Sequence, residues 1–200
     1  MIFGLTHVPT LENDEDNILQ VPIAPEDLAS PIMTHRNLDL LKSLVPKEPA
    51  HILEIGVCQY PTWASSTRTI IEAMNPKSVY VGRDIEDRRW ILSHYPDKKV
   101  IYWHATNSDG KFQVPDLDML FIDGDHRLSG VLVDWHYTET LVPGGVVVLH
   151  DLRHHPGVKA LWDAIDPELF DKVEQFLIGP EDFGMGVAIK RRMSTRRQSV

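Results

Sequence analysis

The sequence predicts an α/β protein, a doubly wound Rossmann-like sheet with helices on both faces, and three observations predict it. Short apolar runs alternate with amphipathic stretches from His51 onward, the runs are apolar almost throughout, and ionisable residues gather where the runs end. Strands covered on both faces have continuous apolar runs of this kind, and a crossover helix is the economical way back to the same sheet edge. Composition agrees. The chain has 200 residues, 42% hydrophobic and 24% charged, with a mean hydropathy of −0.20. Those values describe a globular domain and exclude membrane, collagen-like and wholly disordered classes.

Residues 1–33 mix Pro9, Pro22, Pro25 and Pro31 with an acidic patch from Glu12 to Asp16 and show neither periodicity, so they read as an irregular arm. No basic segment followed by an apolar core opens the chain, and no run approaches the ~20 apolar residues of a membrane span, so a cytoplasmic location is expected. Thr34 can cap a helix whose Leu38, Leu41, Leu44 and Val45 recur at helical spacing until Pro46 and Pro49 stop it. The domain itself, 34–190, continues with a strand at 51–56, a helix at about 63–74, a strand at 78–85 and a helix at 86–94. Next come strands at 98–105 and 117–124, a helix at 128–141, a strand at 145–151 and a helix at 157–166. Two last strands, near 171–178 and 185–190, lack a helix between them, so they form a hairpin and one strand runs antiparallel. Residues 191–200 read as a flexible basic tail.

Net charge is −9, yet the stretch 190–200 holds five of the twenty basic residues and no acid. The rest of the chain is more acidic still and repels phosphates, so a small molecule, not nucleic acid, is the expected partner. The irregular arm is a candidate dimer or lid element, making a homodimer an open expectation. One cysteine, Cys58, excludes an internal disulfide and a thiolate zinc site, and it is given no chemistry.

In a doubly wound sheet ligands sit beyond the carboxyl ends of the strands, and those ends carry Glu54 with Gly56, Asp84, His104 to Asn107, Asp123 to His126, and His150 with Asp151. A glycine after the first strand allows a tight turn and close ligand approach; the plain alternative is a simple turn glycine. An acid ending the second strand can take a ribose diol with two hydrogen bonds, or merely cap the next helix. Asp123 and Asp151 end neighbouring strands ~5 Å apart and can converge on one hard cation, with His150 as a further ligand; the alternative is that Asp125 and Asp151 cap helices. Most of the five tryptophans read as core, since Trp135 shares a helical face with Leu128, Val131 and Leu132. His154 and His155 read as an exposed loop pair.

The order LEIG (53–56), an acid after the second strand, FIDGDH (121–126) and LVPGGVVVLHD (141–151) resembles the class I S-adenosylmethionine (SAM) methyltransferases. The nearest branch contains the sugar O-methyltransferases and the cephalosporin-hydroxylase-like proteins, and the resemblance covers about residues 35–190. It implies a sheet order of 3-2-1-4-5-7-6 with the seventh strand antiparallel, which alternation alone leaves open. It also implies that Glu54, Gly56 and Val57 meet the methionine end of SAM, Asp84 its ribose, and Thr106 and Asn107 its adenine. By the same resemblance Asp123, His150 and Asp151 fall on metal-ligand positions, for Mg²⁺ or Mn²⁺, and His126 falls on a catalytic base. Two departures are visible. Tyr60-Pro61-Thr62 stands where the family loop has a second glycine and a serine, and His150 replaces a commonly acidic ligand, which favours Mn²⁺, Fe²⁺ or Zn²⁺ over Mg²⁺.

The function these expectations describe is metal-assisted methylation of an oxygen on a small sugar or phenol-like substrate. Two rivals use the same residues: a non-catalytic SAM- or nucleoside-binding module, and a metal-dependent hydrolase built on the strand-end Asp and His side chains.

Overall fold

The computed structural model describes residues 2–12, 14, 35–57, 65–105, 113–173 and 183–192. Helix α1 (His35–Leu44) leads into β1 (His51–Ile55), α2 (Ser66–Ala73), β2 (Val79–Asp84), α3 (Trp90–His94) and β3 (Lys99–His104). Then follow β4 (Leu117–Ile122), α4 (Leu128–Trp135), a 3₁₀ turn (His136–Thr140), β5 (Leu141–His150), α5 (Pro156–Ala164), β6 (Phe170–Val173) and β7 (Met185–Lys190). The seven strands form one sheet in the order β3-β2-β1-β4-β5-β7-β6. All neighbours are parallel except β7, which runs antiparallel to both β5 and β6. The expected order and the antiparallel strand are both present.

Strand side chains alternate between two cores, as a period of two requires. Leu53, Ile55, Leu120, Ile122, Val147 and Leu149 pack beneath α4 and α5 with Val131, Trp135 and Leu161. Ile52, Met119, Phe121 and Val148 face the other way, against Leu41, Ile70, Ile71 and Ile91 of α1, α2 and α3. The named residues of both cores are all but inaccessible to solvent, and this close packing positions the strand ends where the site is built.

Four boundaries differ from the sequence reading. The helix expected at 86–94 starts at Trp90, because Asp84 accepts from Glu86 N (2.8 Å) and Asp87 from Arg89 N (3.0 Å), closing turns in place of a first helical turn. The helix expected to reach residue 141 tightens to 3₁₀ after Trp135, where the Thr138 and Thr140 hydroxyls donate to the Trp135 and Tyr137 carbonyls, each at 2.8 Å. The fifth strand starts at Leu141, before the expected 145, with Gly144 at φ +92 and a register shift against β4 absorbing the Pro-Gly-Gly run. The second helix, expected from about 63, starts at Ser66 because Ser65 is an extended N-cap whose hydroxyl accepts from Arg68 N (3.2 Å); residues 63–64 and the end of the strand expected near 171–178 lie outside the described residues. No helix among the described residues is long and apolar enough to cross a membrane.

The first residues dock across the ends of α4 and α5. Leu5 is buried and bridges Ile165, Thr6 N donates to Ala164 O (2.9 Å), and Trp135 Nε1 donates to Phe3 O (2.9 Å).

Candidate functional site

Beyond the carboxyl ends of β4 and β5 five side chains converge: Asp123, His126, His150, Asp151 and His155. Asp123 follows β4, its backbone N–H donating to Ile55 O (2.8 Å) so that the loop continues the sheet by one residue. Gly56, at φ +85, lies so close that a Cβ there would sit 1.9 Å from Asp123 O, so the glycine is required by the neighbouring strand end. Asp151 follows β5 in the left-handed region at φ +64, and its carbonyl accepts from His154 N (3.3 Å) and His155 N (3.2 Å). That tight turn swings His155 back over the strand end. Pro156 then opens α5 with its missing donor at a place where none is needed.

His150 is fully enclosed. Its Nδ1 lies 3.2 Å from Asp123 Oδ1 and 2.9 Å from Asp151 Oδ1, with the Phe121 and Phe183 rings beside it. His126, about one-fifth exposed, has Nε2 at 2.8 Å from Asp151 Oδ2 and 3.5 Å from Asp123 Oδ1. The His155 ring stacks on that of His126 at 4.0 Å, with Nε2 4.0 Å from Asp151 Oδ2. Burial disfavours imidazolium at His126, but hydrogen bonds and charge from the two carboxylates outweigh it and raise its pKa to about 10. The same balance puts His150 well above the ordinary imidazole value. Burial opposes ionisation of Asp151 too, and the flanking histidines hold it below the usual carboxylate range.

The expected exposed loop pair is not exposed. His154 and His155 are 1% and 6% accessible, His154 with its ring 4.2 Å from Phe183. The reason is the reversal at Asp151, which a loop reading of HDLRHHP ignores. A signal was available: His155 immediately precedes Pro156 at the helix start, four residues after Asp151, and so lies back over the strand end.

A divalent cation fits this donor set. Ligands at right angles on an ion at ~2.1 Å are about 3.0 Å apart, and His150 Nδ1 stands 2.9 and 3.2 Å from the two carboxylates. Among the described residues the groups that could hold a metal ion are Asp123 with His150 and Asp151, and His126 with Asp151 and His155.

The other predicted residues lie along the same edge. Glu54, the penultimate residue of β1, is fully buried and accepts from Ser66 Oγ (2.6 Å), Thr67 Oγ1 (3.1 Å) and the Tyr80 hydroxyl. Burial raises its pKa to about 7 against the pull of those hydroxyls. Val57 packs into the core beneath α1 and α2. Asp84 ends β2 with Arg88 Nε 3.6 Å from Oδ2, and Arg88 Nη2 reaches Glu86 at 2.8 Å. Thr106, Asn107 and the Tyr60-Pro61-Thr62 departure lie outside the described residues. Behind the site, buried Arg83 pairs with Asp134 at 2.9 Å and lies over the Trp103 ring, joining β2 to α4; the sequence reading missed this pair.

No family model matches the chain, and no curated protein does. Solved structures do match. A Klebsiella pneumoniae protein assigned as an O-methyltransferase superposes with a TM-score of 0.62 at 17% identity, over 82% of this chain and 83% of that one. Cofactor-bound Rv0187 from MTB gives 0.56 at 16%, over 80% and 82%. MycE methyltransferase of the mycinamycin biosynthetic pathway, solved with Mg, SAH and mycinamycin VI, gives 0.52 at 18%, over 74% of this chain and 47% of that one. At these identities what is shared is the backbone plan, and the protein therefore has the Rossmann-like fold of these methyltransferases.

Proposed function

We propose that the protein is a SAM-dependent methyltransferase acting on a hydroxyl of a small sugar- or phenol-like molecule. The observation that carries this is the Asp123–His126–His150–Asp151 cluster at the ligand-binding edge of a methyltransferase fold. SAM would supply the methyl group and a neutral thioether leaving group. A divalent cation held by Asp123, His150 and Asp151 would supply Lewis-acid stabilisation of the acceptor oxygen.

The chain's own residues then have distinct tasks. Asp84 would receive the ribose diol, which must displace Arg88 from its carboxylate. Glu54, enclosed by three hydroxyls, would hold Ser66, Thr67 and Tyr80 in place near the end of β1, where the methionine end of SAM would lie. His126 shares the solvent-facing side of the cluster with Asp123, each side chain being 22% exposed, and as the imidazole there it would meet the acceptor and take its proton on Nε2. With the carboxylates unneutralised that nitrogen is already protonated; positive charge on them releases the proton and leaves a lone pair. Asp123 and Asp151 thus govern both the acceptor and its base.

The test is calorimetric titration of the full chain with SAM and its demethylated product, with and without Mn²⁺. Asp84→Ala should weaken SAM by about 1.5–3 kcal/mol in a protein that remains folded. Unchanged affinity removes Asp84 from the site. Metal uptake without any SAM binding would favour the hydrolase reading, which the same Asp and His side chains could serve. Once an acceptor is found, His126→Ala should lower turnover by about 10²–10⁴-fold and leave SAM affinity intact.

A further inference from the structure

We infer that β3 is a pairing edge for a second copy of this chain, the two strands running antiparallel about a two-fold axis at Tyr102. β3 ends the sheet on one side, and its six residues pair with β2 without a bulge. Edge strands left in water are ordinarily blunted by charge, proline, a bulge or shortness. β6, at the opposite edge, is four residues long and carries exposed Asp171 and Lys172. β3 reads KVIYWH, without proline, and its four central residues are β-branched or aromatic. Ile101 pairs with Val81 and shares its sheet face, yet it is 47% exposed where Val81 is buried. An apolar face and an open backbone edge therefore coincide.

The register follows from the backbone. Ala105 N donates to Asp84 O at 2.8 Å, so by strand alternation Ile101, Trp103 and Ala105 direct their N–H and C=O groups at β2, while Val100, Tyr102 and His104 turn theirs to the free side. Val100 N closes on Lys98 O (3.0 Å) and not on β2, as this alternation requires; pairing would exchange that local bond. Antiparallel pairing about Tyr102 joins it to the partner's Tyr102, and joins Val100 to the partner's His104, as hydrogen-bonded pairs. Ile101 then lies opposite the partner's Trp103 in a non-hydrogen-bonded pair, where Cα atoms approach to about 4.5 Å. An aromatic ring facing a β-branched side chain is a favourable cross-strand pair, and here it covers the exposed Ile101 face. Charge fits as well. Lys98 and Lys99 stand at one end of β3, and the turn carrying Glu86 and Asp87 lies by the other, where the Tyr102 hydroxyl donates to Glu86 O and His104 Nε2 is 2.9 Å from Ile85 O. Two-fold symmetry brings the lysines of each copy to the acidic turn of the other. None of this rests on the methyltransferase reading.

The full chain is measured by sedimentation equilibrium over a range of concentrations, and hydrogen exchange at the Tyr102 and His104 amides is followed over the same range. The expected result is a reversible dimer in which both amides slow as concentration rises. Ile101 and the partner's Ile101 are diagonal neighbours across the axis, ~7–8 Å apart. Ile101→Lys and Ile101→Glu therefore each set like charges together and should raise the dimer dissociation constant about tenfold or more. Val8→Lys, at a residue 50% exposed in the segment docked by α5, should leave it unchanged. Because Ile101 is exposed in the single chain, both of its variants should fold, and unfolding temperatures check that they do. A monomer at every concentration would overturn the inference. So would a dimer that both Ile101 variants leave intact, or one whose Tyr102 and His104 amides exchange as fast as in dilute protein.

Discussion

Glu54 is a buried carboxyl with three hydroxyl donors and a pKa raised to about 7, its burial outweighing Ser66, Tyr80 and Thr67 while the charge of Asp123 adds to the rise. A folded-state pKa above the unfolded value of 4.5 means that the fold binds the proton more tightly. The stabilisation this provides is complete below about pH 4.5 and is lost as pH rises to about 7. Glu54→Gln cannot ionise and should lack that slope. Thermal unfolding at pH 5 and pH 8 should therefore show wild type losing on the order of 2–3 kcal/mol more than the variant across that interval. Parallel profiles would mean that Glu54 stays ionised in the fold. LEIG marked this residue as chemically important, but its enclosing groups come from α2 and β2 and are invisible in the motif.

At the scale of elements, α4 is capped from outside. Its N-cap residue, Arg127, makes no side-chain cap bond; instead the Asp14 carboxylate accepts from Leu128 N and, at 3.0 Å, from Ser129 N. Asp14→Ala should cost about 0.5–2 kcal/mol of stability, read by denaturant unfolding at pH 7. Desolvation of Asp14 is outweighed by those bonds and its pKa is lowered, so the contribution is present above about pH 4 and fades as pH falls further. An unchanged midpoint would show that water caps the helix equally well. The start of α5 offers a second case. A Cβ on Gly157 would meet His126 O and Leu128 N at 2.4 Å. Gly157→Ala must therefore push α5 away from the His126 loop, which should cost about 1–3 kcal/mol and weaken metal uptake together with stability. A variant as stable as wild type with unaltered uptake would show that the loop yields freely. Neither interaction follows from helical periodicity, because each joins segments distant in the chain.

At the scale of the whole molecule, the first residues close the core under α4 and α5. Leu5 is 6% accessible, Gly4 at φ +77 lets the chain pass the Phe170 ring, and Asp166 N donates to Gly4 O at 2.9 Å. Leu5→Ala should destabilise the protein by about 2–4 kcal/mol in equilibrium unfolding, a loss that an exposed arm would not show. A change within experimental error would mean that the segment contributes no core.

The alternation of apolar runs determined the α/β class and the strand positions, since the sheet and both helical layers impose periodicities that any sequence filling them must carry. Strand ends followed from the same periodicities, so Glu54, Asp84, Asp123, His126, His150 and Asp151 could be read as one edge. Helix limits were legible only to within several residues, because side chains bond to nearby backbone by local competition, Asp84 and Asp87 delaying the start of α3 and Thr138 and Thr140 closing the end of α4. Tertiary structure alone decided the rest. It buried His155 against His126 through a left-handed turn at Asp151, closed Arg83 on Asp134, and drew Asp14 onto α4. Those pairings are set by how loops cross the ends of packed elements, a geometry that depends on the whole core and leaves no periodic trace in the residues it brings together.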